Sequence, residues 1–325
     1  MNIDMIRAAD TRLKGRVRET PLLSSPFLDE IAGRRVLVKA ECLQHTGSFK
    51  YRGGLAAVSA LDPAARARGV VAFSSGNHAQ GVALAARQHG APCVIVMPAD
   101  APTVKIANTR ALGAEVVLYD RHRDDRDAIG AGLAEARGLA LIRPYDDAQV
   151  IAGQGTCGLE IAAQARAEGI GTADVLVCCG GGGLSAGVAL ALDAEAPGLR
   201  VRTVEPEGYD DMARSLAAGR TLGNPTSPPT ICDAIVTPQP GALTLPILAR
   251  LAGPGLAVTD AEALRAMAMA FHRLRIVLEP GGAVALAAAL FRPEAVAGDA
   301  VICIATGGNV DAGLFAQALT EGGAA

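Results

Sequence analysis

Residues 41–54 read Glu-Cys-Leu-Gln-His-Thr-Gly-Ser-Phe-Lys-Tyr-Arg-Gly-Gly, and the fold follows from what flanks them. A strand-like run, Val36-Leu37-Val38, precedes the stretch, and a small-residue helical run, Leu55-Ala56-Ala57-Val58, follows it. Gly47-Ser48 supplies the turn, with Ser48 predicted as the N-cap. This is a strand–loop–helix unit with one amine, Lys50, where open α/β sheets build their sites. An amine there can condense with a carbonyl group. It can equally be a solvated lysine whose charge opposes the helix dipole.

The alternation continues along the chain. Residues 70–73, 93–97 and 115–118 are short β-rich runs, separated by helical segments at 79–88 and 104–112 that stop at Gly90 and Gly113. A strand plus a helix about every 22 residues implies parallel strands covered on both faces. Further strands are predicted at 175–178, 201–204 and 301–304, and helices at 159–167, 184–192, 262–273 and 284–290. Residues 219–240, rich in Pro, Gly, Thr and Ser, read as a long loop. The expectation is an α/β fold of two open twisted sheets, mostly parallel, with flanking helices. Residues 53–145 form a small domain, and residues 1–52 with 146–325 a large one. Lys50 then stands at their junction, beside the cleft.

Composition excludes several classes. The net charge is −3 with Lys and Arg scattered, and aromatic residues make up 3% with no Trp, so neither nucleic acid nor an anionic membrane is an expected partner. No apolar run is long enough to span a bilayer, and the start, Met-Asn-Ile-Asp-Met-Ile-Arg, lacks the features of a signal peptide. Seven cysteines without a Cys-x-x-Cys pair read as reduced thiols of a cytoplasmic protein.

Four loops follow predicted strands. Gly180-Gly181-Gly182-Gly183-Leu184 opens a helix, and its backbone N–H groups can converge on a phosphate. The alternative is a flexible turn requiring positive φ. Ser74-Ser75-Gly76-Asn77-His78 starts another helix and suits a carboxylate, or is an ordinary N-cap. Thr306-Gly307-Gly308-Asn309 puts a hydroxyl at a strand end, or is a capped turn. Glu205 and Asp211, with a carbonyl between them, can bind a hard divalent cation, or belong to a solvated acidic loop.

Together these segments resemble the fold-type II pyridoxal-phosphate enzymes, and within them the serine/threonine dehydratase and serine racemase group, which includes hydroxyaspartate dehydratases. The likeness also takes in Thr20-Pro21-Leu22, residues 150–155 and Glu279-Pro280. It implies a tryptophan synthase β-like fold with the cofactor in the interdomain cleft, a mobile small domain and a homodimer. By the same resemblance Lys50 holds pyridoxal phosphate as a Schiff base and moves protons on one ring face. Phe49 packs on the cofactor, and Asn77 hydrogen-bonds its phenolic oxygen. Gly180, Gly181, Gly182, Gly183 and Leu184 hold its phosphate, and Thr306 faces its pyridine nitrogen. Ser74, Ser75, Asn77 and His78 surround the substrate carboxylate. Glu205, Asp211 and the Tyr209 carbonyl bind Mg²⁺, or Mn²⁺ or Ca²⁺.

A hydroxyl at Thr306 stabilises a protonated ring less than a carboxylate would. That favours loss of a β-hydroxyl over transamination. The implied activity is dehydration of serine, threonine or 3-hydroxyaspartate to a 2-oxo acid and ammonia, with Lys50 removing the α-proton. Some residues depart from the simple threonine deaminases. Ser75 replaces their alanine, and in racemases the matching serine is the second acid/base, so an amino-acid racemase with elimination as a side activity is an alternative. Thr306 stands for serine, and Cys232-Asp233-Ala234 for Ala-Asp-Gly. Arg126 stands where a racemase-like member can meet a second carboxylate, or it is a surface arginine in a charged helix. A third reading, a non-catalytic binding protein on this scaffold, does not need Lys50. No C-terminal amino-acid-sensing domain is expected.

Overall fold

The computed structural model describes residues 1–74, 76–101, 103–224 and 229–322. Its strands are β1 (Leu22–Ser24), β2 (Arg35–Lys39), β3 (Val70–Phe73), β4 (Cys93–Pro98), β5 (Glu115–Tyr119), β6 (Ala140–Leu141), β7 (Ala173–Cys178), β8 (Leu199–Pro206), β9 (Leu256–Val258) and β10 (Ala300–Ile304). They form a six-stranded sheet in the order β1-β2-β10-β7-β8-β9 and a four-stranded sheet in the order β5-β4-β3-β6. Every pairing is parallel except β1 with β2. The strands β3, β4, β7 and β10 are buried along their whole length, which is why they read as continuous Val/Ile runs rather than alternating ones. β10 inserts between β2 and β7, so Val301 faces Val36 and the amino-terminal segment joins the six-stranded sheet.

The helices differ from the sequence reading in several places: Ile3–Leu13, Pro26–Ala32, Pro63–Arg68, Thr244–Leu251 and Ala312–Glu321 are unpredicted, and three other differences bear on how the site is held. One helix, Ala148–Ala167, begins well before the 159–167 stretch that periodicity predicts, and takes in three glycines. Its Gly153 is there for contact: a Cβ would lie 2.5 Å from the Cβ of Ala56, so the missing side chain lets this helix press against the helix Lys50–Ala60. Ser48 is not an N-cap. Its backbone is extended and bridged to Gly307, its hydroxyl is buried without a hydrogen-bond partner among the described residues, and Phe49 takes the cap position without a side-chain bond. The segment predicted as one helix over 262–273 is the α-helix Asp260–Met269 running into a π-helical turn, Ala270–Leu274.

A buried ionic cluster joins these elements. Arg52, fully buried, donates from Nε and Nη2 to both oxygens of Glu41 at 2.8 and 2.7 Å. From Nη1 and Nη2 it donates to both oxygens of Glu160 at 2.7 and 2.9 Å. Lys39 Nζ adds a 2.5 Å bond to Glu160, and the Thr20 hydroxyl a 2.5 Å bond to Glu41. Burial pushes the Glu41 carboxyl up, but Arg52, Lys39 and Thr20 outweigh it and hold it below the ordinary range. Replacing Arg52 by Leu strands two carboxylates beside one lysine, and it should destabilise the fold by about 3–5 kcal/mol in urea denaturation.

Candidate active site

The carboxyl ends of the parallel strands in both sheets open into one pocket. β7 ends at Cys178, and Cys179, Gly180, Gly181 and Gly182 lead into the helix Gly183–Glu195. β10 ends at Ile304 just before Thr306, and β3 ends at Phe73 just before Ser74 and the helix Asn77–Gln88. β4 and β5 lead to the helices Thr103–Ala111 and Arg126–Arg137, which bring Lys105 and Arg126. Phe49, Lys50, Ser74, Asn77, His78, Arg126, the four glycines, Leu184 and Thr306 all line a cavity of about 200 Å³. Ser75 lies outside the described residues.

Lys50 begins the helix Lys50–Ala60, and its Nζ donates to the Pro144 carbonyl at 2.8 Å. Loss of water pushes the amine down to about 8, with Glu279 pulling the other way. Its Nζ sits 5.1 Å from the centre of the Phe49 ring. The turn before it is strained: Thr46, a β-branched residue, has φ 60° and ψ 15°, a left-handed conformation that costs roughly 1–2 kcal/mol.

The glycine loop approaches its surroundings too closely for side chains. A Cβ on Gly181 would fall 2.2 Å from the Tyr145 ring. The Gly181 carbonyl is held by the Thr244 hydroxyl at 2.6 Å, which turns this peptide's acceptor away from any anion. Ser185, in the first turn of the following helix, lines the pocket, and its buried hydroxyl has no partner among the described residues. First-turn N–H groups and an orphaned hydroxyl make a cradle that fits a phosphate.

His78 is buried, and its Nε2 lies 3.0 Å from the Ile142 carbonyl. A carbonyl only accepts, so Nε2 carries the proton and Nδ1, buried without a partner among the described residues, is an acceptor. Desolvation, then the Lys50 charge, push this imidazole down to about 3, and it stays neutral. Asn77 Nδ2 donates to Glu279 Oε1 at 2.6 Å. Burial pushes the Glu279 carboxyl up to about 7 against that hydrogen bond.

Arg126 answers to both readings: it lines the pocket with its guanidinium carbon 5.6 Å from the Phe73 ring centre, and it is exposed, with Nε 3.6 Å from Asp127 Oδ2. Glu205 and Asp211 lie apart from the pocket, at the end of β8 and the start of the helix Asp211–Ala218. Glu205 accepts from the Met212 and Ala213 N–H groups at 2.9 and 2.8 Å. Asp211 Oδ1 accepts from Asn224 at 2.6 Å, while Oδ2 is buried without a partner among the described residues. Lys105, Tyr145, Ser185 and Glu279 face the same cavity without having been assigned a role from sequence. Only Glu279 carried a signal, the Glu-Pro pair opening the helix Pro280–Phe291.

Residues 13–307 match the family described as pyridoxal-phosphate dependent enzyme. The chain belongs to that family. Among relatives of this pyridoxal-phosphate dependent enzyme, an L-threo-3-hydroxyaspartate ammonia-lyase of a Pseudomonas species is 46% identical over 97% of both chains. A serine racemase of Schizosaccharomyces pombe is 40% identical over 98% of this chain and 97% of its own. Among solved structures, a threonine deaminase of T.th. is 44% identical with a TM-score of 0.89, covering 96% of this chain and 99% of that one. Maize serine racemase is 36% identical with a TM-score of 0.90, covering 98% and 97%. No helix among the described residues is long and apolar enough to cross a membrane.

The position of the Lys50 equilibrium has a kinetic consequence for loading the family's cofactor. Only the neutral amine attacks an aldehyde. Uptake of pyridoxal phosphate by cofactor-free protein, followed by stopped-flow absorbance, should accelerate with pH and level off above about 8 rather than above 10.5.

Proposed function

We propose that this chain is an ammonia-lyase that converts a β-hydroxy α-amino acid to a 2-oxo acid and ammonia, favouring 3-hydroxyaspartate over threonine and serine. The observation that carries this reading is Lys50, an amine desolvated toward neutrality in a pocket that also holds an anion cradle. Bound pyridoxal phosphate supplies an electron sink for charge developing at the α-carbon. Gly180, Gly181, Gly182, Gly183, Leu184 and Ser185 would hold its phosphate, Phe49 would pack on its ring, and Asn77 would donate to its phenolic oxygen. Thr306 would offer the ring nitrogen a hydroxyl rather than a carboxylate, which would stabilise a protonated ring less and favour elimination. Lys50 would anchor the cofactor and would then take the α-proton. Ser74 and Ser75, with the backbone N–H groups of Asn77 and His78 at the start of the helix Asn77–Gln88, would hold the α-carboxylate. The β-hydroxyl would leave as water, taking up the equivalent of the proton Lys50 removed, and the released enamine would hydrolyse to the 2-oxo acid and ammonia.

Two further cations support a second carboxylate on the substrate. Lys105 and Arg126 both lie in the first turn of a helix, where the dipole disfavours a positive charge, and both face the pocket. The Lys105 side chain makes no hydrogen bond or ion pair among the described residues. A substrate carboxylate would give Lys105 a partner and would compete with Asp127, 3.6 Å away, for Arg126. The hydroxyaspartate ammonia-lyase relative supports the same substrate.

A divalent cation, Mg²⁺ or a similar ion, at Glu205, Asp211 and the Tyr209 carbonyl belongs to this reading. Two buried carboxyls support it. Desolvation pushes Glu205 well up against its two N–H donors, and it pushes Asp211 up to about 6. A hard cation relieves both and occupies the orphaned Asp211 Oδ2. The small domain 53–145 is proposed to move against residues 1–52 and 146–325. We further place the protein in the cytoplasm, supported by seven buried free thiols, and as a homodimer, supported by exposed Phe27, Ile31, Leu43 and Val277.

The racemase reading stands beside this one because serine racemases are nearly as similar over the same length. Incubating L-serine, L-threonine and both diastereomers of 3-hydroxyaspartate in D₂O separates them. The lyase reading expects 2-oxo acid to dominate, and a D-isomer without oxo acid would overturn it. Lys105→Met should raise KM for 3-hydroxyaspartate about tenfold and leave threonine turnover nearly unchanged. Mg²⁺ should raise the melting temperature of the parent protein, chelator should lower it, and Glu205→Ala should respond to neither.

A further inference from the structure

Asn309 lies outside the pocket lining, yet its side chain reaches two parts of the site. Its Nδ2 donates to the Thr46 carbonyl at 2.8 Å and to Asn77 Oδ1 at 2.7 Å. A backbone carbonyl only accepts, so the Thr46 contact fixes which end of the Asn309 amide faces the loop. That choice fixes Asn77 in turn, with Oδ1 toward Asn309 and Nδ2 toward Glu279 Oε1 at 2.6 Å. One Asn77 N–H remains unassigned, on a residue that lines the pocket.

Glu279 cannot set this polarity by itself. Burial holds its carboxyl up to about 7, so near neutrality it exists in both forms. Its protonated form can donate to a flipped Asn77 as well as its ionised form accepts from the present one. The Thr46 carbonyl does not titrate, and through Asn309 it decides between the two orientations.

The same contact steadies the turn that delivers Lys50. Thr46 and Gly47 are consecutive left-handed residues, with φ 60° and 74°. The Gly47 carbonyl accepts from Gly308 N at 2.9 Å. A Cβ on Gly47 would meet Asn309 Oδ1 at 2.6 Å, so the amide occupies the space that glycine leaves. A strained turn persists only where its surroundings over-determine it.

We propose that Asn309 is a positioning residue: it aligns the loop that carries the cofactor-anchoring Lys50 with the Asn77 donor that meets the cofactor's phenolic oxygen. This rests on the pyridoxal-phosphate reading given above. Asn309→Asp keeps the shape and replaces the donor by an acceptor, so Asn77 turns its Nδ2 toward the new carboxylate and presents Oδ1 to the cofactor. The variant should bind pyridoxal phosphate about tenfold more weakly. Its visible absorption band should also be altered. Asn77→Ala should alter the band in the same sense, and the double variant should go no further than Asn77→Ala alone. A variant with the parent's band and cofactor affinity, or effects of the two substitutions that simply add, would overturn the proposal. If melting of the cofactor-free protein reveals Asn309→Asp as poorly folded, Asn309→Ala supplies the same two readings without a buried charge. A parent protein lacking a band that borohydride abolishes sinks the cofactor reading itself. An intact parent band with unmoved variants sinks the Asn309 role alone.

Discussion

One buried guanidinium, that of Arg52, fixes where the Lys50 amine can be. It follows Lys50 by two residues on the same helix and clamps Glu41 beyond the end of β2 and Glu160 on the helix Ala148–Ala167. With Lys39 the cluster holds two cations and two carboxylates, so it carries no net charge into the interior. Taking four charges out of water is expensive, and only close, two-pronged geometry makes the arrangement viable. Such geometry tolerates little rotation. The helix cannot turn about its axis to re-aim Lys50 without parting Arg52 from a carboxylate. The reactive residue is therefore held in orientation by a neighbour that does not line the cavity.

The two sheets bring different groups to the pocket. The side of the six-stranded sheet contributes the glycine loop, a helix start and Thr306, which offer backbone N–H groups and hydroxyls, together with Lys50 and Glu279. The four-stranded sheet contributes Lys105 and Arg126 beside Ser74, Asn77 and His78. In the proposed reading, a ligand with anionic groups at both ends would satisfy both sides.

Much of this is legible in sequence, for a physical reason. Parallel strands buried on both faces need unbroken apolar runs, and the loops at their carboxyl ends need glycine and short polar residues, so strand and site announce each other. The runs at β3, β4, β7 and β10, and the loops after β3, β7 and β10, are found in that way. The helix Ala148–Ala167 is only partly visible because Gly153, Gly155 and Gly158 lower local helix propensity while serving contacts that only the folded chain supplies. Ser48 has the right residue type for a cap but sits in a bridge to a strand end some 250 residues away, which no local rule anticipates. Lys105 looks like any surface lysine, and Arg126 could be placed in the pocket or in solvent. Both depend on where a helix start points, and single-sequence patterns do not encode that direction.

The neutrality of His78 reaches into how protons move in this cavity. Histidine is ordinarily the residue that changes charge near neutral pH. Here its one proton is committed to the Ile142 carbonyl, and its other nitrogen only accepts. It can receive a hydrogen bond from a ligand hydroxyl or amine, but it has nothing to give a departing group. Proton traffic in the cavity therefore falls to Lys50, to Glu279, to hydroxyls and to acidic groups that a ligand would bring with it.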